Sequence, residues 1–464
     1  MAGLFQTIEL GKRALLTHQI YLQTIGHNIA NVDTPGYSRQ RVRITSTRPE
    51  FNTIGAIGSG VEATDIRHVR DLFLGEQYRR ETKALGQWSY KDKILYQVEA
   101  LFGEPNDNTL SDLINDFWDA WSDLSTNPSS TSHRVAVLEY TNLLTSRFHQ
   151  MANQLSTLQE ATDSDMVAMV NDVNRLSAEI ALLNNQVKMQ ELGGNRANDL
   201  RDIRDRLVDE LALLVDVNTL EQDNGELTVY IGAMGIVDGP DTTTITSETF
   251  TGDGTIGHRL LLGNSTITIT NNNGQIKGLM DTRDILIPRY QNELNNIVQE
   301  LVQRVNSLHS AGYGLDGSTG NNFFDANYTD AANIRLNPIV ENDTARIAAS
   351  GTGEVGDNSV ALAIQTLRNQ KIMENNTSTL NNYYNSVVGR LGVEAYQARS
   401  FSENSELLVH QVYNARQSVQ GVSLDEEMTN LVKSQHAYDA AARIITVMDE
   451  ALDTVILRMG IVGR

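Results

Sequence analysis

The 464-residue chain contains no cysteine, and that absence excludes disulfide frameworks, cysteine nucleophiles, zinc fingers and thiolate-held iron–sulfur clusters together. It suits a protein that spends time both inside a reducing cell and outside it. Proline is scarce, with seven at positions 35, 49, 105, 128, 240, 288 and 338, so the long tracts between them are free to run as helices. Aromatic residues make up only 6% and charged residues 20%, while a hydrophobic share of 40% still suffices for real cores. No run approaches the ~20 apolar residues of a membrane span. Glu9 interrupts the N-terminal stretch where a secretory leader would carry its apolar segment. A soluble chain is expected, leaving the cell by another route if it is exported. Cations are also in short supply. The net charge is −21, and the first 80 residues hold ten Lys/Arg against seven Asp/Glu, so the acidity lies beyond them. That balance argues against a nucleic-acid partner, which would need clustered Lys and Arg to neutralise phosphates.

What is present is periodicity. Leu4, Ile8, Gly11, Leu15, His18, Leu22, Ile25 and Ile29 recur at alternating spacings of four and three, which is a heptad seam. The other end repeats the pattern through Leu424, Met428, Leu431, Gln435, Tyr438, Ala442, Ile445, Asp449, Leu452, Ile456 and Met459. A third stripe, Met169 to Val187, ends at Gly193-Gly194, and a helical tract follows from Asn198 to Val215. Leu110 to Asn127 and His133 to Leu158 also have helical spacing, broken at Asn127-Pro128. Asp284 to His309 is a further helix, followed by a Gly/Asn-rich loop from Ala311 to Phe324 and a last helical stretch that runs with breaks from Asp357 towards Gly421.

Between the helical tracts the texture changes. "ELTVYIGAMGIV" and "STITITNNNGQIKG" alternate apolar and polar residues with period two, and Asn273-Gly274 is a hairpin signal. The fold class expected is mainly α with inserted β: coiled-coil terminal helices, a helical-bundle core and a small Thr-rich β domain. The divisions are 1–60 for the N-terminal helix and hinge, 61–224 and 283–420 for the two halves of the helical domain, 225–282 for the β insert, and 421–464 for the C-terminal helix. A stripe two positions wide buries little by itself, and chain ends fray unless docked. The terminal helices are thus expected to pair with each other, with other subunits, or with both.

Candidate chemistry is thin. "GTGEVG", Gly351 to Gly356, has the spacing of a dinucleotide fingerprint but no strand–helix alternation around it, so a flexible loop is the simpler reading. The nine histidines are scattered without an H-x-x-x-H pair, and His18 and His436 lie on or beside the terminal stripes as packing positions. "GLDGSTGNNFFD" lacks the ligand order of a calcium loop and is expected to be a solvated turn. In "RDIRDRLVDE" the carboxylates alternate with arginines at helical spacing, as on an exposed salt-bridged face. No cofactor, metal or catalytic residue is assigned, and an enzyme is not expected.

One motif stands out. After the N-terminal stripe comes "ANVDTPGYSRQRV", in which Asn31, Thr34, Pro35, Gly36 and Tyr37 form a turn and Arg39 and Gln40 open an extended segment. Arg39, Arg41 and Arg43 alternate on one face of it, with Val42 and Ile44 on the other. This stretch resembles the signature of the bacterial flagellar axial proteins, the rod, hook and hook-associated group. "NDLRDIRDRLVDELALLVDV", the block from "GQIKGLMDTRDILIPRYQNELNNIVQELVQRVNSLHSAGYGLDGSTGNNFF", "GDNSVALAIQTL" and "QGVSLDEEMTNLVKSQHAYDAAARIITVMDEALDTVI" are similar to its hook-associated members. Together they cover a little over a quarter of the chain, in order.

The resemblance implies a structural protein exported through the flagellar type III channel and placed as a ring of subunits between hook and filament. It implies an inner core built from the terminal stripes, Leu4, Ile8, Leu15, Leu22, Ile25 and Ile29 with Leu424, Met428, Leu431, Tyr438, Ile445, Leu452, Ile456 and Met459, disordered in the free monomer and folded on assembly. Partners so implied are further copies of the chain, the hook protein, the next hook-associated protein or filament, and an export chaperone on the C-terminal helix. Neither nucleic acid nor membrane is among them. Members are often longer, with an outer domain in the β region; here residues 225–282 fill that place, so one compact β module is expected. The turn becomes a hinge, with Arg39, Arg41 and Arg43 set to meet acidic neighbours on adjacent subunits. The alternatives are a hook, rod or filament subunit of the same system, or a secreted enzyme on the same export frame.

Overall fold

The computed structural model describes residues 2–52, 55–103, 109–252, 255–263 and 271–458. The first element, α1 (Ala2–Ala30), is followed by the Thr-Pro-Gly-Tyr turn and a two-stranded ribbon. In the ribbon β1 (Gln40–Ser46) pairs antiparallel with β4 (Val61–His68), and β2 (Glu50–Asn52) pairs with β3 (Gly55–Ile57) at its far end. A shift in register between Arg43 and Ile44 marks an irregularity in β1. Beyond it Ile44 faces solvent rather than joining Val42 on the covered side.

Four long helices follow: α2 (Leu72–Phe102), α3 (Leu110–Thr126), α4 (Thr131–Glu191) and α5 (Asn198–Leu214). A capping box starts α3, with Thr109 Oγ1 accepting from the Asp112 amide and the Asp112 carboxylate accepting from the Thr109 amide. Its apolar face (Leu113, Phe117, Trp118, Trp121 and Leu124) is fully covered. Helix α4 is one uninterrupted 61-residue element. The tracts 133–158 and 169–187, separate by periodicity, are joined because the polar residues between them include no proline or glycine.

The sheet region begins earlier than its alternation indicated. Strands β5 (Val217–Glu221), β6 (Leu227–Ile231), β7 (Met234–Asp238) and β8 (Asp241–Thr242) form an antiparallel sheet in chain order, and β9 (Ile245–Gly252) pairs with β10 (Thr255–Leu262). The hairpin expected at Asn273-Gly274 does not form. Gly274 instead precedes α6 (Gln275–Asp281), which passes through a widened turn, Thr282–Leu286, into α7 (Ile287–His309). The remainder comprises α8 (Pro338–Glu341), α9 (Ser359–Thr366), α10 (Leu380–Gln420) and α11 (Leu424–Asp453).

Helices α2 and α10 run antiparallel along each other. Ring contacts mark the register: Phe102 with Tyr384 at 6.4 Å, Trp88 stacked on Phe401 at 4.7 Å, and Tyr78 with Tyr413 at 6.2 Å. The first half of α2 shows no apolar stripe, since it buries Gly75, Thr82, Lys83 and Gly86, whereas Tyr90, Ile94, Val98 and Phe102 recur at helical spacing in the second half. One continuous core extends from Tyr90 to Ala398 through α2, α3, α4, α5, the sheet, α7 and α10. The Gly/Asn-rich loop after α7 is anchored in that core by Phe323 and Phe324, both fully buried, and is not merely a solvated turn. His309 lies beside them. Its Nδ1 donates to the Asn321 carbonyl at 2.7 Å and its Nε2 accepts from the Ala348 amide at 2.8 Å, an arrangement for the neutral ring. Burial lowers its pKa to about 4.

Candidate assembly joint

The two terminal helices lie together, antiparallel. Gly11 of α1 faces Ala441 and Ile445 of α11, Ser434 Oγ donates to the His18 carbonyl at 3.5 Å, and Asn28 Nδ2 donates to Glu427 Oε2 at 3.1 Å. The covered positions of α11 are Glu427, Ser434 and Ala441, seven residues apart. On α1 they include Gly11, Thr17, Thr24, Ile25 and Asn28. Small residues let the backbones approach: a Cβ added at Gly11 would lie 2.8 Å from Ile445 Cγ1. The seam within one chain is therefore narrow and largely polar.

The signature turn closes on Asn28, which is almost fully buried. Its Oδ1 accepts from Tyr37 Oη at 2.8 Å and from the Gln40 amide at 2.9 Å, while its Nδ2 donates to the Gln40 carbonyl at 2.9 Å as well as to Glu427. One side chain thus ties α1, the turn, β1 and α11 together. Asn31 Nδ2 donates to the His27 carbonyl at 3.0 Å, and Thr34 Oγ1 donates to Asn31 Oδ1 at 3.1 Å. Gly36 takes φ +82°, and an added Cβ would lie 3.3 Å from the Arg206 side chain, so the position favours glycine on both counts. The Tyr37 ring meets the His27 ring edge-to-face at 5.6 Å. Burial, and then Asp199, Asp202 and Glu427, raise its phenol pKa above the ordinary range.

The helical domain receives this turn on a row of aspartates. In α5, Asp199, Asp202, Asp205 and Asp209 follow at spacings of three, three and four, which puts them along one helix face. Asp199 Oδ1 accepts from Gln40 Nε2 at 2.6 Å and lies 3.3 Å from His27 Nε2. Asp202 accepts from the Ser38 amide at 2.8 Å and lies 3.1 Å from His68 Nδ1. Asp205 pairs with Arg70, and its Oδ1 lies 3.4 Å from Arg79 Nη2. Asp209 takes Arg79 Nε at 2.8 Å and Arg416 Nη1 at 2.6 Å. Burial, followed by the neighbouring Arg79, depresses the Arg70 pKa to about 10, so it stays charged at neutral pH. The arginines of α5 point elsewhere. Arg201 binds Glu191 and Glu221, and Arg204 donates to Asn184 Oδ1 and the Gly225 carbonyl, holding α5 to α4 and the sheet.

Sequence reasoning missed this row. It took "RDIRDRLVDE" for an exposed face, yet Arg201, Asp202, Arg204, Asp205 and Asp209 are all buried. The 3-3-4 spacing of the aspartates was the available signal, but periodicity does not say what covers a face. Among the expected seam residues, Ile25 is buried; Ile8, Leu15, Leu22, Ile29, Leu431, Tyr438, Ile445 and Leu452 are half-buried. Leu4 lies in α1. Leu424 at 48% and Met428 at 51% exposure face solvent, because Glu427, Ser434 and Ala441 are the residues of α11 turned to α1, and Ile456, 66% exposed, lies past the end of α11. Met459 is outside the described residues. Pro35 is exposed at the turn. The pairing expected for the arginines is corrected in part: Arg39 and Arg41 meet an acid of their own chain, Glu426, the second at 3.6 Å. They lie next to it because α11 packs back beside the turn. "GTGEVG" is a surface loop knotted on Asp357, which accepts from the Gly351 and Thr352 amides and from Ser350 Oγ. The Ser359 amide, which donates to Oδ1 at 3.0 Å, and then the Ser350 and Thr352 hydroxyls hold its carboxyl well below the usual range. Among the described residues no three His, Asp or Glu gather as a metal site.

Comparison with known proteins bears on this joint. Residues 95–324 match the family model described as the flagellar hook-associated protein FlgK helical domain. Residues 8–37 match the flagella basal body rod protein model, and 416–459 the flagellar basal body rod FlgEFG protein C-terminal model. Flagellar hook-associated protein 1 of Bacillus subtilis (strain 168) is 30% identical over 507 aligned positions spanning 100% of both chains. The chain belongs to the flagellar hook-associated protein 1 family. Its relative in Escherichia coli (strain K12) is 21% identical, across 94% of this chain and 97% of that one. The solved flagellar hook junction protein FlgK from Burkholderia pseudomallei shares the fold, with a TM-score of 0.67 over 74% of this chain and 100% of that chain at 15% identity. In this hook-associated protein 1 family member, the two rod-type matches correspond to α1 with its turn and to α11. The helical-domain match contains the aspartate row. The joint is where the two kinds of sequence meet.

Proposed function

We propose that the chain is a structural subunit of the bacterial flagellum, seated at the junction of hook and filament and working by packing, without catalysis. The observation that carries this reading is the α1–α11 pair. Its internal seam is narrow and closed mainly by small and polar residues, while Leu424 and Met428 stay uncovered on the outer side. Large apolar side chains exposed along a helix mark a surface to be buried on assembly. The partners are further copies of this chain in a ring, the hook protein on one side and the next hook-associated protein or filament on the other. An export chaperone covers the α11 stripe before assembly, and the chain leaves through the flagellar type III route to the cell exterior. The helical-domain match over 95–324 supports this over a hook, rod or filament subunit.

The test is genetic. Cells lacking the protein should shed filament subunits into the medium, and normal filaments on such cells would sink the reading. Restoring the chain with Leu424→Asp and Met428→Asp should leave the helical domain folded and yet fail to restore filaments.

A further inference from the structure

The ribbon between the turn and α2 has more exposed surface than its role as a connector needs. Its base is covered, but Ile44, Phe51 and Ile57 are exposed, Phe51 at 89%, along with Arg43 and Arg48. Neither arginine has an ion-pair partner among the described residues. The β1–β4 part of the ribbon packs along α1, but a two-stranded end with no layer over it is marginally stable in water, so the Phe51 end calls for a covering surface.

Charge and position point to the cover. Residues 39–70 carry six arginines against three carboxylates, a surplus of +3 in a chain of net −21, so the rest amounts to −24. Helix α11 is the converse, with seven Asp/Glu against two Lys/Arg from 424 to 453. Leu424, Met428 and Val432 follow along one flank of it beside Asp425 and Asp439, all exposed, and neither aspartate has an ion-pair partner among the described residues. The two surfaces match in kind: apolar with cations, apolar with carboxylates. The base of the ribbon already makes such a contact within the chain, through Arg39 and Arg41 to Glu426. The ribbon then runs along α1, with Thr17 Oγ1 donating to the Val61 carbonyl at 3.4 Å and Gly60 against Leu10. Ribbon, α1 and α11 therefore form a series in which the two ends are complementary and uncovered.

We propose that the Phe51 end of the ribbon docks on the outer flank of α11, at Leu424, Met428, Val432, Asp425 and Asp439, in a second copy of this chain. The contact joins two different patches, so it repeats from copy to copy and closes a ring where the rotation allows. It rests on the self-assembly contained in the proposed function and names the surfaces used.

A photo-cross-linking residue, p-benzoylphenylalanine, replaces Phe51 in the full-length chain, expressed in cells without their own copy, and isolated flagella are irradiated. The expected product is a species of twice the chain mass whose cross-linked peptide lies within 424–453. Arg43→Glu with Arg48→Glu should lower its yield about fivefold, the scale of two exposed charge contacts. Asp425→Arg with Asp439→Arg in the same chain should restore it. A cross-link to a hook or filament subunit, a cross-link to another part of this chain, or no cross-link in incorporated protein overturns the docking. Absence of the unsubstituted chain from the flagellum would overturn the proposed function instead, so the two failures are distinct.

Discussion

At Asp205 two guanidiniums, those of Arg70 and Arg79, converge on one carboxylate with little solvent to screen them. Such a group is costly to neutralise, because its partners are left charged and buried. Asp205→Asn should lower stability by about 3–5 kcal/mol, the usual cost of breaking a buried pair on one side. Urea unfolding of the purified chain measures it, and a loss below about 1 kcal/mol would show that the row does not hold the joint. His309 makes a second residue-scale prediction. Its folded pKa is about 4, and the unfolded imidazole titrates near 6.5. The unfolded chain therefore takes up a proton that the folded chain refuses. Stability is complete above about pH 6.5 and falls as the pH drops towards 4, by about 3 kcal/mol for this one ring. His309→Gln should flatten that part of the pH–stability curve. An unchanged slope would mean that the ring is not neutral in the core.

At the scale of elements, the close approach of α1 to α11 at Gly11 decides whether the terminal pair can form. A Cβ there meets Ile445 Cγ1 at 2.8 Å, and that carbon is not the free end of its side chain. Gly11→Leu should separate the pair, raise hydrogen exchange in 2–30 and 424–453, and leave exchange in α4 and α7 as it was. Equal protection of the terminal helices in the variant would mean that the seam is not tight. The same pair shows what could be read from sequence. Heptad spacing identified both helices and, to within a turn, both ends of α1 and the start of α11, because a stripe of that period lines up on one face only when the backbone is helical. It did not identify the covered flank. Glu427, Ser434 and Ala441, which turn to α1, are not large apolar residues, and their effect comes from size and from a hydrogen bond to Asn28. Helix α2 went unassigned although Tyr90, Ile94, Val98 and Phe102 keep helical spacing, because its first half buries glycines, a threonine and a lysine where a stripe would show apolar residues. The aspartate row was visible as a spacing, but its partners lie up to 207 residues away in sequence, as Arg416 does from Asp209. Spacing within a helix carries no information about such pairs.

Across the whole molecule, two kinds of cohesion meet at the joint. The large core runs from Tyr90 to Ala398 and includes no residue of α1, the ribbon or α11. The terminal module reaches that body through the aspartates of α5, the Gln420 carbonyl that accepts from the Arg39 amide at 2.8 Å, and Asn198 Nδ2 on the Ile66 carbonyl at 2.8 Å. An interface of hydrogen bonds and ion pairs with little apolar area contributes less to cooperativity than a shared core does. Heating the full-length chain should therefore give two transitions. The first should release α1, the ribbon and α11, and the second, at higher temperature, should melt the helical body with its sheet. Asp202→Asn with Asp205→Asn should lower the first transition by several degrees more than the second, since the row fastens the module from the rim of the body. Calorimetry with limited proteolysis on either side of the first transition checks both the order and the cleavage sites. A single transition, or cuts within α4 or α7 before any in α1 or α11, would show that the terminal module and the body fold as one unit.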